Sequence, residues 1–413
     1  MHGSRGLRLS CFFALFGQGR KGFPFLRGAW RASIAARLMD TQRFSESVLT
    51  AKTEINGATV FAGRGILPSL PVTVALLVEC GRVLVVFDEE GKECAERVAG
   101  ELKNYGYRVT LKDAAHADEA EECCRLSVGV GGFSACESAG RAARSLGAEC
   151  VLVPVSPCED RLLRHGGVSQ VYVDGEVLDA CSPEQRAAGL GLYYSMPVRR
   201  FEDYYRHKVL ARPALARDDP DPECERDSVA LLLYLLKEGA KSDDRYACDI
   251  AAELMAKAAA NAGKKPRLRG EYCFVAACTL AVLYSSFLSS PAIDTLLPAD
   301  HAAAAGKIAA VRGCDAANGI ELVDFFSVNE YFRISYVLGE YRLDLFDKLA
   351  VGDMRSVERR WRRLYDDAGY WLKSALTARD VLGAIALAGE ECEGLLAYIT
   401  ATGFCEGMTA REN

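Results

Sequence analysis

The sequence predicts an α/β layer, doubly wound and Rossmann-like, followed by an all-α C-terminal domain. Two observations carry this expectation. From about residue 55 to residue 180, short β-rich runs alternate with helical stretches, the pattern of a largely parallel sheet covered on both faces. Beyond Pro183 the strand-like alternation disappears, and apolar residues recur at helical spacing to the end of the chain.

The elements follow in order. Thr59–Phe61 reads as a strand that ends in the turn Gly63-Arg64-Gly65. Val83–Phe87 is a continuous apolar run stopped by Asp88, which suits a strand buried on both faces. Lys92–Tyr105 carries Cys94, Val98 and Leu102 at helical spacing, and Gly106 closes it. Strands are predicted again over Tyr107–Leu111, Leu126–Val130, Cys150–Val155 and Val171–Val173, with a helix over Ser134–Leu146. Pro213–Asp227 is proline-rich and acidic, as a connector or exposed loop would be. Helices are predicted over Val229–Glu238, Cys248–Asn261, Glu271–Leu288, Ala299–Arg312, Gly319–Asp347, Met354–Leu372 and Ala378–Ala388. Tyr272–Leu288 holds no charge, but it falls short of the roughly 20 apolar residues that span a bilayer, and its Cys, Thr and Ser residues fit a central core helix. The resulting division is an extension over 1–38, an α/β nucleotide-binding-like domain over 39–195, a connector over 196–228 and an all-α domain over 229–413.

Composition narrows the function classes. The chain has 413 residues, 50% of them hydrophobic, and a formal net charge of −6, so it lacks the basic balance of a nucleic-acid binder. Its 16 cysteines are scattered without a C-x-x-C pair, which speaks against zinc fingers and redox motifs and for reduced apolar fillers. Residues 1–38 contain arginines and no acid. They read either as an organellar transit segment or as an upstream stretch before a start at Met39. Otherwise a cytoplasmic, non-membrane protein is expected, with a small-molecule or nucleotide ligand and room for a homo-oligomer.

Gly129-Val130-Gly131-Gly132-Phe133-Ser134 follows a strand and opens a helix. Backbone N–H groups bared by glycine at a helix N-terminus attract phosphate, although turn chemistry alone also places glycines there. Ser134 has no His/Asp partners that would make it a nucleophile. Arg359–Arg363 is basic and aromatic but is balanced by Asp366 and Asp367, as a solvated helix face would be. His116 and His165 lie in or beside loops, and His301 starts a helix; none has a catalytic setting.

Taken with their order and spacing, these segments resemble the superfamily of iron-containing alcohol dehydrogenases, glycerol dehydrogenases, sn-glycerol-1-phosphate dehydrogenases and 3-dehydroquinate synthases. Gly63-Arg64-Gly65-Ile66-Leu67-Pro68-Ser69-Leu70 resembles its opening G-x-G-x-x-x-x-L. Gly131–Glu137 resembles G-G-G-S-x-x-D, and Val153-Pro154-Val155-Ser156 resembles V-P-T-T. Ala187–Leu192 resembles A-A-G-I-G-D, and Arg269-Gly270-Glu271 resembles H-G-E. The resemblance covers roughly 55–400, and Glu393–Thr400 is similar to the tail of the glycerol-1-phosphate branch. It implies NAD or NADP against Gly129, Gly131, Gly132, Ser134, Asp88 and Ser156.

The departures are chemical. Leu192 stands where the superfamily has an acidic metal ligand, Arg269 where it has a histidine, and the other family histidine would fall near Glu253. No histidine lies between His207 and His301. A guanidinium has only donors to offer, so no metal is expected, with Arg269 as fixed positive charge paired to Glu253 or Glu271. Phe133 puts a benzyl group where the third glycine would be, which places the dinucleotide in doubt. Two functions remain. One is a catalytically degenerate binding protein on the dehydrogenase scaffold. The other is an active NAD(P)-dependent polyol or alcohol oxidoreductase with a rearranged, metal-independent site, in which Arg269, Glu271 or Tyr193 would act. Cyclase chemistry of the synthase branch would need metal and His/Lys partners that these motifs do not contain.

Overall fold

Asn56 and Gly57 both have positive φ, 47° and 80°, as a two-residue type I′ hairpin requires. They join β1 (Leu49–Ile55) to β2 (Ala58–Gly63) in an antiparallel pair. The computed structural model describes residues 49–404 apart from 80, 120–123, 165, 243–244, 265–266, 291–300, 315–327 and 350–376. The extension over 1–38, the helix expected over Met354–Leu372, the Arg359–Arg363 patch and His165 lie outside the described residues.

Five more strands complete the sheet: β3 (Arg82–Phe87), β4 (Arg108–Asp113), β5 (Cys124–Gly131), β6 (Glu149–Pro154) and β7 (Gln170–Asp174). Their order is β1-β2-β7-β6-β5-β3-β4, and every pairing except β1–β2 is parallel. The first four helices are α1 (Leu70–Leu77), α2 (Lys92–Asn104), α3 (Phe133–Leu146) and the short α4 (Gly175–Asp179). Alternation along β3 sorts its side chains between two cores. Val83 and Val85 pack with Cys94, Val98 and Leu102 of α2, whereas Leu84 and Val86 pack with Cys136 and Ala139 of α3. The continuous apolar run in the sequence is therefore a strand buried on both faces.

α5 (Pro183–Val209) leads out of the sheet region. Ser182 and Gln185 form a capping box, with Pro183 in the first turn. Then follow α6 (Ser228–Gly239), α7 (Ala247–Asn261), α8 (Arg269–Ser289), α9 (His301–Arg312), α10 (Val328–Lys348), α11 (Ala378–Glu391) and α12 (Leu395–Ala401). α8 carries the uncharged stretch. Cys273, Phe274, Ala276, Ala277, Leu280 and Tyr284 are buried in one core with α5 and α7. Among the described residues it is the one helix long and apolar enough to cross a membrane, and that burial makes it a core helix.

Several elements go beyond the expectation, the short helices α4 and α12 among them. β1 precedes the first predicted strand, and α1 follows directly on the Gly63–Gly65 turn. α5 continues unbroken through residues 196–209, with Pro197 inside it. A proline inside a helix removes a backbone donor, and here it also interrupts the periodic signal.

Candidate functional site

Backbone contacts bring three of the motifs together. A Cβ on Gly189 would lie 2.5 Å from the Pro157 carbonyl oxygen, so α5 touches the loop after β6. One on Gly191 would lie 2.3 Å from the carbonyl oxygen of Gly270, and one on Gly270 only 1.8 Å from that of Ala188. The glycines of Ala187–Leu192 and of Arg269-Gly270-Glu271 thus let α5 and α8 meet backbone to backbone. Leu192 is fully buried in the helical core, and its carbonyl accepts from the Ser195 hydroxyl.

At this junction four charged side chains form a closed square. Arg199 of α5 donates from Nη1 to Asp160 Oδ2 at 2.8 Å and from Nη2 to Asp249 Oδ1 at 2.7 Å. Arg269, the first residue of α8, reaches the same two carboxylates, pairing with Asp160 Oδ1 and with Asp249 Oδ1 at 2.5 Å. Asp160 comes from the loop after β6 and Asp249 from α7, so the square ties the sheet to three helices. Burial alone would push the Asp160 carboxyl up; the guanidiniums of Arg269, Arg199 and Arg161 reverse that and hold it well below the ordinary carboxylate range. Asp249 is likewise held low against its burial by Arg199, Arg269 and Arg161. Arg269 stays firmly protonated, because Asp160, Cys273 and Asp249 outweigh the desolvation that would lower it.

The expected partners of Arg269 are corrected here. Glu253 lies one helical turn beyond Asp249 on α7, is partly exposed, and accepts from Arg161 at 2.9 Å and Arg245 at 2.8 Å. Glu271 faces Arg267 at 3.9 Å. Tyr193 donates its hydroxyl to the Asp221 carbonyl at 3.0 Å and packs edge-on against Tyr234, with burial holding its hydroxyl protonated.

A metal ion held at this junction would have to sit among these groups. Asp160, Asp249 and the Cys273 thiol, which lies 3.6 Å from Asp249 Oδ1, are the donors at hand. Both carboxylates are already bridged by two guanidiniums, and burial raises the thiol to about 11. A dication needs free lone pairs at about 2 Å, whereas here it would meet fixed positive charge. Among the described residues no group of three His, Cys, Asp or Glu side chains is arranged to hold a metal ion. The residues do not fit the metal.

The glycine turn is also filled from within. At the N-terminus of α3 the Gly132 N–H donates to Asp88 Oδ2 at 2.9 Å, and the Phe133 N–H donates to Glu159 Oε1 at 2.9 Å. Asp88 additionally accepts from Gly91 N–H. Gly131 has φ 150°, and a Cβ there would strike the Asp88 carboxylate at 2.3 Å. Glu90 is close by, bonded by Gln185. Two amides that a pyrophosphate would use are thus occupied by acidic side chains, and Phe133 itself is 41% exposed. Burial, then the neighbouring Asp160, raises Glu159 to about 8, so it sits there largely protonated at neutral pH. Of the cofactor candidates, the structure brings Gly131, Gly132 and Asp88 together. Gly129 is pressed against the α3 backbone at Cys136, Ser134 is exposed on the helix, and Ser156 is buried with its hydroxyl 2.9 Å from the Cys158 thiol. As it stands, the turn does not fit a dinucleotide pyrophosphate.

The sequence motifs did not single out Arg199, Asp249, Arg161 or Arg164. A detectable signal existed for Asp249: a lone acid within the apolar run Ala247–Ala252 must be paired if it is buried.

No protein-family model matches the chain, and no curated protein does. Solved structures do show similarity at low identity. They include glycerol dehydrogenase from Schizosaccharomyces pombe (13% identity, TM-score 0.43, covering 76% of this chain and 92% of that one). A halo-thermophilic archaeal alcohol dehydrogenase from a Red Sea brine pool is similar at 11% identity and TM-score 0.49, covering 87% and 98%. An iron-containing alcohol dehydrogenase is similar at 11% and 0.46, covering 86% and 98%. The chain is thus similar to solved structures of the iron-containing alcohol and glycerol dehydrogenase group, while the chemistry of its site rests on its own residues.

Proposed function

We propose that this chain is a divergent member of the dehydrogenase scaffold that binds a small molecule without metal-assisted hydride chemistry. One observation carries the proposal: Arg199 and Arg269 bridge Asp160 and Asp249 at the junction of the V-P-V-S, A-A-G-L-G-L and R-G-E segments. An organic cation in that place keeps the local charge balance but supplies no Lewis acidity to polarise a substrate hydroxyl. The carboxylates on the α3 amides support the same reading for the dinucleotide. The active oxidoreductase with a rearranged site is less favoured, because Tyr193 is engaged with the Asp221 carbonyl and Glu271 stands by Arg267.

The test is elemental analysis of the purified protein, together with titration of NADH and NADPH. The expected outcome is substoichiometric zinc, iron and nickel, and no saturable dinucleotide binding at the micromolar to millimolar concentrations typical of enzyme cofactors and substrates (about 1 μM–1 mM). One equivalent of metal, with chelator-sensitive oxidation of glycerol or a simple alcohol, would overturn the proposal.

A further inference from the structure

Beside the ion square the positive charge is in surplus. Arg161, Arg164, Arg199 and Arg269 gather around Asp160 and Asp249; Glu253 pairs with Arg161 but is shared with Arg245. Arg164 is the exceptional member. Its residue is 9% exposed, yet its side chain makes no hydrogen bond or ion pair with any described residue, and its Nε is buried without a partner. The Nε atoms of Arg161 and Arg269 are in the same condition. Burial lowers the Arg164 guanidinium, with Asp160 and Asp249 acting against that and Arg161 and Arg199 adding to it. Arg164 therefore sits within the field of the square without belonging to it.

The backbone holds this arginine in place. Arg161 and Arg164 are the ends of one turn closed by Arg164 N–H to Arg161 O at 3.1 Å. The Asn56 side-chain amide clamps the turn by donating to the Leu163 carbonyl at 2.6 Å, and Leu163 is buried in the sheet core. A buried guanidinium carries five donors in a fixed fork. The group that matches such a fork, and that brings the missing negative charge, is a phosphate or similar tetrahedral oxyanion.

We infer that Arg164, with Arg161 beside it, is the binding site for the phosphate group of a small ligand at the edge of the Asp160–Arg199–Asp249–Arg269 square. This anion site lies on the loop after β6, apart from the glycine turn, whose amides are already taken. It names the ligand class for the small-molecule reading above and rests on that reading only for the surplus of positive charge.

The test is isothermal titration of the full chain with inorganic phosphate and, in a second arm, with phenyl phosphate, which separates a free anion from an esterified phosphate group. Saturable binding of at least one of them is expected. Arg164→Gln should weaken it about tenfold or more, the size of losing charge-assisted hydrogen bonds in a buried site. Arg164→Lys, which keeps the charge but not the fork, should fall between, and Arg161→Gln should weaken binding as well. Added phosphate should raise the melting temperature of the unaltered protein and not that of Arg164→Gln, while the exposed-site control Arg108→Gln should behave as the unaltered protein. No saturable binding in either arm, or equal affinity in the Arg164 variants, would overturn the inference. Bound metal in a protein that still takes phosphate through Arg164 would instead sink the proposed function and leave this site standing.

Discussion

The ion square predicts an ordered loss of stability when its arginines are removed one at a time. Arg199 has a side chain 2% exposed and, among the described residues, is the guanidinium that pairs with Asp160 Oδ2. Truncating it to Met leaves two buried carboxylates short of a partner, and breaking a buried ion pair in this way costs about 3–5 kcal/mol. Arg269 is 26% exposed at its side chain, and after Arg269→Met both carboxylates still hold Arg199. About half the loss, roughly 2 kcal/mol, is expected there. Urea unfolding at pH 7 measures both values. Because the pairs are buried, the losses should persist at high salt, unlike those of an exposed pair. Arg269→Met combined with Asp249→Asn should cost less than the sum of the single changes, since both delete the same Arg269–Asp249 pair. If Arg269→Met were as stable as the unaltered chain, or if the double variant were strictly additive, the square would not be an electrostatic unit.

Other outcomes follow from neighbouring groups. Glu159, raised to about 8, and Glu202, raised by burial to about 7, are buried acids whose folded forms hold a proton that the unfolded chain releases from about pH 4.5. Their linked stability is full below that value and falls as pH rises through 7 and 8, with a slope of at most about 1.4 kcal/mol per pH unit for each group. Glu159→Gln should remove its share, so its advantage over the unaltered chain should widen between pH 5 and pH 8 in urea melts; a constant gap would show that Glu159 is charged throughout. Asp160 and Asp249 act in the opposite sense, because their folded values are depressed. Stability from the square should be present above the ordinary carboxylate value of 3.8 and drain away only in stronger acid, an acid limb that Asp160→Asn should shift in the unfolding profile. Gly270→Ala would set a Cβ 1.8 Å from the Ala188 carbonyl oxygen and should cost about 3 kcal/mol or more through overpacking between two helix backbones. A soluble variant with an unchanged melting temperature would show that α5 and α8 are not in close contact there.

What the sequence disclosed and what it hid divide along the range of the interactions. β3, β5, α2 and α8 were legible because each is specified by its own period and end signals: an apolar run stopped by Asp88, glycines at a strand end, a stretch without charge. α1 was hidden because Leu70–Leu77 carries apolar residues almost all round and shows little amphipathic contrast to read. The glycines at 189, 191 and 270 stood out in short motifs, and in space they let the segments that carry them meet backbone to backbone. The pairing of the charged side chains at that junction was not legible.

The choice of Glu253 over Asp249 shows why. The two acids are four residues apart and share one face of α7, so helical periodicity cannot separate them. What separates them is the loop after β6, which brings Asp160 and Arg161 against that face from ninety residues away. Arg161 takes Glu253, and Arg199, rising from α5, takes Asp249 together with Arg269. The same long-range meeting suits an arginine at 269. A histidine there would face two carboxylates already bound to Arg199, whereas a guanidinium can reach both at once because its donors form a planar fork. Arg269 is therefore one corner of a square that includes Arg199, Asp160 and Asp249. On that view, placing histidine at 269 alone should not create a metal site: with Arg199 still bound to both carboxylates, Arg269→His should bind zinc no more tightly than the unaltered chain in a competition assay with a chromogenic chelator. Tight stoichiometric binding by that single variant would mean that the remaining carboxylates are free to coordinate, and that the square does not lock them as argued.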